Sequence, residues 1–256
     1  MNARYAIYYI PEPKTTLAAL GSALLGRDSE KGKAIPQADL TGFSQQSLFD
    51  LTADVRRYGL HATLKAPFFL KKEMTEHDLL LSAARFVMGR QNITLPRIEL
   101  ARISSFVALV PSREGPKGLE AIEDINTLAA DAVVFFDPFR ATPSEQELAR
   151  REAQKLTVRQ RALLVEWGYP YVFDEYRFHI TLTDKLHDSE EARRMEESLH
   201  SYFSLACNEE TAISGICVCK QITSNPASGN KGSAFMPIMR FAFHVPKKIS
   251  ATRSTL

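Results

Sequence analysis

The segment YGLHATL (58–64) returns later in the chain as YRFHITL (176–182). Both copies read Tyr, any residue, apolar, His, apolar, Thr, Leu. A repeat of this kind asks for two equivalent strands, one in each half of the chain, with the same polar side chains on one face. Alternate residues of a strand share a face. In the second copy Phe178, Ile180 and Leu182 therefore line a core, while His179, Thr181 and Thr183 look the other way. In the first copy His61 and Thr63 share a face, and Lys65 continues it. Six histidines, sixteen threonines and 45% apolar residues give about 0.2 expected matches to His-x-Thr-apolar by chance. Two are present.

The spacing has a chemical use. Residues i and i+2 of a strand sit roughly 6.5–7 Å apart at Cα, so an imidazole and a hydroxyl reach the same small anion. Two such strands across a cleft present two imidazoles and two hydroxyls to one phosphate. A neutral imidazole takes a proton from attacking water, and a protonated one supplies a proton to the leaving oxygen. An ordinary His pKa of about 6.5 makes both states accessible. Threonine hydroxyls donate to the non-bridging oxygens, where charge accumulates in the transition state. His61 and His179 are therefore the candidate catalytic residues, with Thr63, Thr181, Lys65 and Thr183 as candidate substrate-binding residues.

The paired strings His61-Ala62-Thr63-Leu64 and His179-Ile180-Thr181-Leu182 resemble the H-x-T-x motifs of the two-histidine (2H) phosphoesterase superfamily. The longer strings RRYGLHATLKAPF, FDPFR and RQRALLVEWGYPYVFDEYRFHITLT are similar to its branch of bacterial phosphonate-metabolism proteins associated with C–P lyase. The resemblance runs from about residue 4 to about 245. It implies a bilobed α+β fold with two antiparallel-rich sheets and flanking helices, pseudo-two-fold symmetric around a central cleft. It also implies hydrolysis of a phosphodiester, often cyclic, with a ribosyl cyclic phosphate as the substrate suggested for this branch. Two alternatives stand beside it. One is an RNA-end phosphodiesterase opening 2′,3′-cyclic phosphates; the other is a module that binds a nucleotide or phosphorylated ligand without turnover.

Composition narrows the classes. A net charge of +2 is too mild to argue for DNA binding, and three cysteines suit a reducing cytoplasm rather than a disulfide framework. No apolar run of about 18 residues suggests a membrane span, and the N-terminus does not read as a secretory signal. The expectation is a cytoplasmic protein acting on a small phosphorylated metabolite, a nucleotide or an RNA end. The sequence holds no Walker A loop and no G-x-G-x-x-G, and Cys217-Val218-Cys219 lacks the second pair of a structural zinc site. No cofactor and no metal are expected.

Hydrophobic periodicity predicts strands at 4–10, 61–69, 104–112, 212–221 and 235–245, and helices at 14–26, 75–90, 115–136, 157–168 and 188–206. One bilobed domain is expected over 1–246, with a tail at 247–256. Tyr58 and Tyr176 stand an odd number of residues before the histidines and read as packing residues on the opposite face. Arg56, Arg57 and Arg140 are candidates for a second phosphate, although an arginine is more often a surface residue. Tyr169 and Tyr171 are candidates for stacking on a base or sugar, against a core role beside Pro170. His77, His187, His200 and His244 share no motif.

Overall fold

The computed structural model describes residues 2–143, 155–223 and 234–244. Strand β1 (Asn2–Tyr9) is rich in aromatic residues and ends before Pro11 and Pro13. It occupies the interior of a four-stranded antiparallel sheet ordered β2-β1-β8-β9, with β2 (Ala62–Phe69), β8 (Gly215–Thr223) and β9 (Met236–Ala242). The first strand is thus clasped by one of the last. A second antiparallel sheet runs β4-β5-β6, from β4 (Ile98–Ile103), β5 (Phe106–Pro111) and the two-residue β6 (Ile180–Thr181). A third, two-stranded sheet pairs β3 (Ile93–Leu95) with β7 (Thr211–Ile213).

The helices are α1 (Thr16–Leu25), α2 (Gln45–Leu51), α3 (Ala53–Tyr58), α4 (Glu76–Phe86), α5 (Gly115–Phe136), α6 (Val158–Trp167), α7 (Ser189–Tyr202) and α8 (Ser204–Asn208). Their ends follow local chemistry. Thr75 and Asp78 form a reciprocal capping box on α4, and Thr157 and Gln160 form one on α6. Gly168 closes α6 at φ 73°, a left-handed conformation that an L side chain rarely adopts. The result is a mixed α/β fold of antiparallel sheets with flanking helices.

The main core joins both larger sheets to the long helices through residues such as Leu64, Leu79, Ile125, Phe136, Ile180, Leu199 and Val218. Burying each such side chain stabilises the fold by about 1.5–3 kcal/mol. β1 alternates: Ile7 and Tyr9 enter this core, whereas Ala6, Tyr8 and Ile10 face the other side of the sheet. There they pack with Cys217, Cys219 and Phe235. The two thiols are free and buried, packing as small apolar groups. Among the described residues, no helix is long and apolar enough to cross a membrane.

Most predicted elements form, but the predicted strand 212–221 divides at Ser214 into β7 and β8, which join different sheets. Helices α2 and α3 and strands β3 and β4 are additional, each short. The predicted helix 188–206 breaks at Phe203 into α7 and α8. The second motif contributes only Ile180 and Thr181 to a ladder, although Phe178, Ile180 and Leu182 are all buried as its alternation requires. The predicted tail at 247–256 lies outside the described residues.

Candidate active site

Each histidine stands immediately before a strand at the edge of its sheet: His61 before β2 and His179 before β6. The two imidazoles are held in the same way. His61 Nδ1 lies 2.9 Å from the Gly59 carbonyl, and His179 Nδ1 lies 2.8 Å from the Arg177 carbonyl. A carbonyl only accepts, so Nδ1 carries the hydrogen in both rings. Nε2 is then the nitrogen left to exchange protons with a substrate.

Their surroundings differ. The His61 ring lies 4.0 Å from the Tyr8 ring centroid and stacks at 5.9 Å on Tyr58. Burial pushes its pKa down to about 4; the Gly59 carbonyl opposes this, and the charges of His179 and Arg27 add to it. His179 has Phe106 as an aromatic neighbour, 5.8 Å away. Burial lowers its pKa too, against the pull of the Arg177 carbonyl.

Three side chains from distant sequence fix the first motif and the helix that leads into it. The Tyr176 hydroxyl donates to the Thr63 carbonyl at 3.0 Å, tying the second motif to the backbone of the first. The Asp184 carboxylate accepts from the backbone N–H groups of Asp54 and Val55, both at 2.9 Å. It thereby caps α3, whose own N-cap residue Thr52 makes no side-chain cap. At the other end of α3, buried Arg27 donates to the Arg56 carbonyl at 2.8 Å and the Arg57 carbonyl at 2.5 Å. Negative charge at the N-terminus and positive charge at the C-terminus both suit the helix dipole. α3 leads directly into Gly59, the carbonyl that orients His61. Tyr58 and Tyr176 pack, but not on the opposite face: Tyr58 stacks on the His61 ring and Tyr176 lines the cavity with His179. Each precedes its strand, so alternation does not apply to it.

Two of the expected binding residues have their polar groups engaged by the protein itself. Thr63 pairs with Tyr8 and Lys65 with Ile7, so the ladder advances two residues on β2 for one on β1. Directly opposed residues share a face, and Ile7 and Tyr8 are on opposite faces. A β-bulge at Leu64 therefore turns Lys65 away from Thr63. Its ammonium is buried, donating to the Val133 carbonyl at 2.9 Å and to Asp137 at 3.0 Å. Burial lowers its pKa to about 8, the charge of Asp137 opposing the shift. Thr183 is buried as well, its hydroxyl accepting from Val107 N–H at 3.0 Å, because β6 has already ended. Lys65 is turned away from the site, whereas Thr183 lines the hollow beside Thr181 with its hydroxyl already engaged by Val107.

Thr63 and His179 line one cavity of about 440 Å³, together with Phe106, Gln160, Tyr169, Tyr171, Glu175, Tyr176 and Arg177. The cavity thus draws on both motifs. Thr181 and Thr183 open instead on another hollow, with Asp54, Phe106, Asp184 and His187. Arg140 is engaged with Asp137 at 2.8 Å and with the Glu166 carbonyl. Arg56 stacks on Phe49 and donates to its carbonyl, and Arg57 pairs with Asp54. Among the described residues, no three His, Cys, Asp or Glu side chains cluster as a metal site.

A family model described as "Protein of unknown function (DUF1045)" matches residues 63–227, more than half of the chain. The chain belongs to this family. The match begins at Thr63 and takes in the second motif. Two curated relatives, from Janthinobacterium sp. (strain Marseille) and Laribacter hongkongensis (strain HLHK9), are both named ribose 1,5-bisphosphate phosphokinase PhnN. They are 42% and 37% identical over 72% of this DUF1045 chain, which spans 39% and 40% of their own lengths. Similar solved structures include a phosphoesterase (TM-score 0.38, 13% identity) and E. coli LigT complexed with 3′-AMP (TM-score 0.40, 14% identity). Both matches cover 95% of this chain and 99% of the other.

Proposed function

We propose that the chain hydrolyses a small, cyclic phosphodiester by paired imidazole acid–base catalysis. The observation that carries this reading is the matched pair of Nδ1 hydrogen bonds, which leaves both Nε2 atoms for proton transfer. The cavity lined by Thr63 and His179 supports the reading, because it is bordered by residues of both motifs.

Water attacks phosphorus while one Nε2 removes its proton. The P–O bond to the leaving oxygen breaks, and the other imidazolium protonates that oxygen. The product is a phosphomonoester with a free hydroxyl, and the two histidines have exchanged protonation states. His61 is assigned as the base, because burial and two neighbouring cations keep it neutral. His179, beside the open cavity, is assigned as the acid; an anionic substrate favours its charged form. The Thr63 and Thr181 hydroxyls donate to the non-bridging oxygens. Every step uses these side chains alone, and the reaction is expected to proceed without a metal.

The relatives' name supports a ribosyl phosphate compound as substrate. Their kinase chemistry is not proposed for this chain, which has no Walker A loop. The test is a panel of cyclic phosphodiesters (ribosyl, mononucleotide and RNA-terminated) assayed with EDTA present. Turnover of the ribosyl member supports the reading, and a preference for RNA ends redirects it. Binding without turnover makes the chain a binding module, and activity abolished by EDTA and restored by a divalent metal contradicts the mechanism.

A further inference from the structure

The cavity beside His179 contains a carboxylate that the phosphoryl chemistry does not use. Glu175 sits at the end of a 3₁₀ turn (Phe173–Glu175) and lines the cavity with Thr63 and His179. Its orientation is set from α6. Gln160 accepts from Thr157 N–H through Oε1 at 3.0 Å, so its Nε2 donates to Glu175 Oε2, also at 3.0 Å. Arg159, the preceding residue, makes a two-pronged contact with Asp174, at 3.0 Å and 2.6 Å. Consecutive residues of one helix therefore grip consecutive residues of the turn. Glu175 Oε1 has no hydrogen-bond partner among the described residues.

Backbone strain gathers around the same cavity. Among the described residues, Phe173 (φ 53°) and Ser104 (φ 55°) are the non-glycine residues with positive φ. Phe173 opens the turn that carries Glu175, and Ser104 lines the cavity from the two-residue turn between β4 and β5. Strain of this kind persists where the surroundings over-determine a conformation, often at ligand clamps.

A carboxylate repels phosphate, so Glu175 serves a part of the ligand that brings hydrogen-bond donors. An ammonium group is one candidate, but Arg177 lines the same cavity and repels it. A neutral hydroxyl suits both charges. Phe106, Tyr169 and Tyr171 add flat apolar surface of the kind that packs on a sugar ring.

We propose that this cavity seats a hydroxylated sugar ring, with Glu175 accepting a ring hydroxyl while the phosphodiester lies at the histidines. Glu175 is then a specificity-determining residue, and Gln160 positions it. The proposal rests on the phosphodiesterase reading above and names its substrate class.

The test compares the wild-type chain with Glu175→Gln on three five-membered cyclic phosphates: that of ribose, that of propane-1,2-diol, and that of 3-aminopropane-1,2-diol. One charge-assisted hydrogen bond lost at a site built for it predicts a wild-type preference of about 10- to 100-fold in kcat/KM for ribose over propanediol. In Glu175→Gln that ratio should fall toward one, chiefly through KM. Equal wild-type rates on ribose and propanediol overturn the proposal. So does an equal loss on both in the variant, or a preference for the amino ester. If the wild type turns over none of the three, the hydrolytic reading fails on its own. Calorimetric binding of ribose 5-phosphate against propanediol phosphate then decides the sugar site, and equal affinity overturns it.

Discussion

His61 stands at the head of an eight-residue strand with Tyr8 and Tyr58 against its ring, whereas His179 stands at the head of a two-residue strand beside Phe106 and an open cavity. What the copies share is local: His Nδ1 bonded to the carbonyl two residues earlier. What separates them is packing, which sets proton affinity and access. The same motif can thus supply a base in one setting and an acid in the other. Beyond each threonine the next polar side chain is also engaged by the protein itself, for different reasons. A bulge turns Lys65 over, and the end of a strand buries Thr183.

The largest expected effects test whether the copies act as a pair. His61→Ala and His179→Ala should each lower kcat by about 10²- to 10⁴-fold, the usual range for a general acid or base. A near-normal rate in either folded variant would remove that histidine from the chemistry.

The threonines test whether the copies are equivalent. Losing a charge-assisted hydrogen bond of about 1.5–3 kcal/mol implies roughly a 10- to 150-fold decrease in kcat/KM. Thr63→Val should fall at the upper end, since Thr63 lines the cavity with His179, and Thr181→Val at the lower. Equal losses would show that both hydroxyls reach the phosphate alike.

Asp184 tests the link between the copies. Asp184→Ala removes an N-cap worth about 1 kcal/mol and loosens the helix that leads to Gly59. A fall of several-fold in kcat with KM little altered is expected, partly restored by Asp184→Asn. Loss of stability alone, with kcat intact, would make Asp184 a cap and nothing more.

The smallest catalytic effect is expected at Lys65. Breaking a buried pair by removing one partner typically costs about 3–5 kcal/mol. Lys65→Met should cost less, because Arg140 still neutralises Asp137. Tm should drop while KM stays near its wild-type value, and a large rise in KM would place the ammonium on substrate after all.

Much of this was legible in the sequence. The repeat pointed to two matched segments, each with His Nδ1 on the carbonyl two residues earlier, and the helices predicted from 75 and 157 begin at the capping residues Thr75 and Thr157. The bulge at Leu64 was not, because nothing in HATLKAP departs from alternation; only the pairing with β1 reveals it. Asp184 and Tyr176 act on residues more than a hundred positions away, beyond any local pattern. Glu175 and Gln160 meet only because the turn folds back on α6. Pattern thus fixes what is periodic or adjacent, and tertiary contact decides the rest.

The most direct test of the acid–base pair is the pH dependence of kcat/KM in the wild type and in each single-histidine variant. His61 must be neutral to accept a proton, so the rate should fall as pH drops through its lowered pKa, about 4. His179 must be protonated to donate, so the rate should also fall as pH rises through its own value, lowered from 6.5. The account predicts a bell on the acid side of neutrality, with His61→Ala losing only the acid limb and His179→Ala only the basic limb. A full bell retained in both folded variants, at near-normal rates, would contradict it.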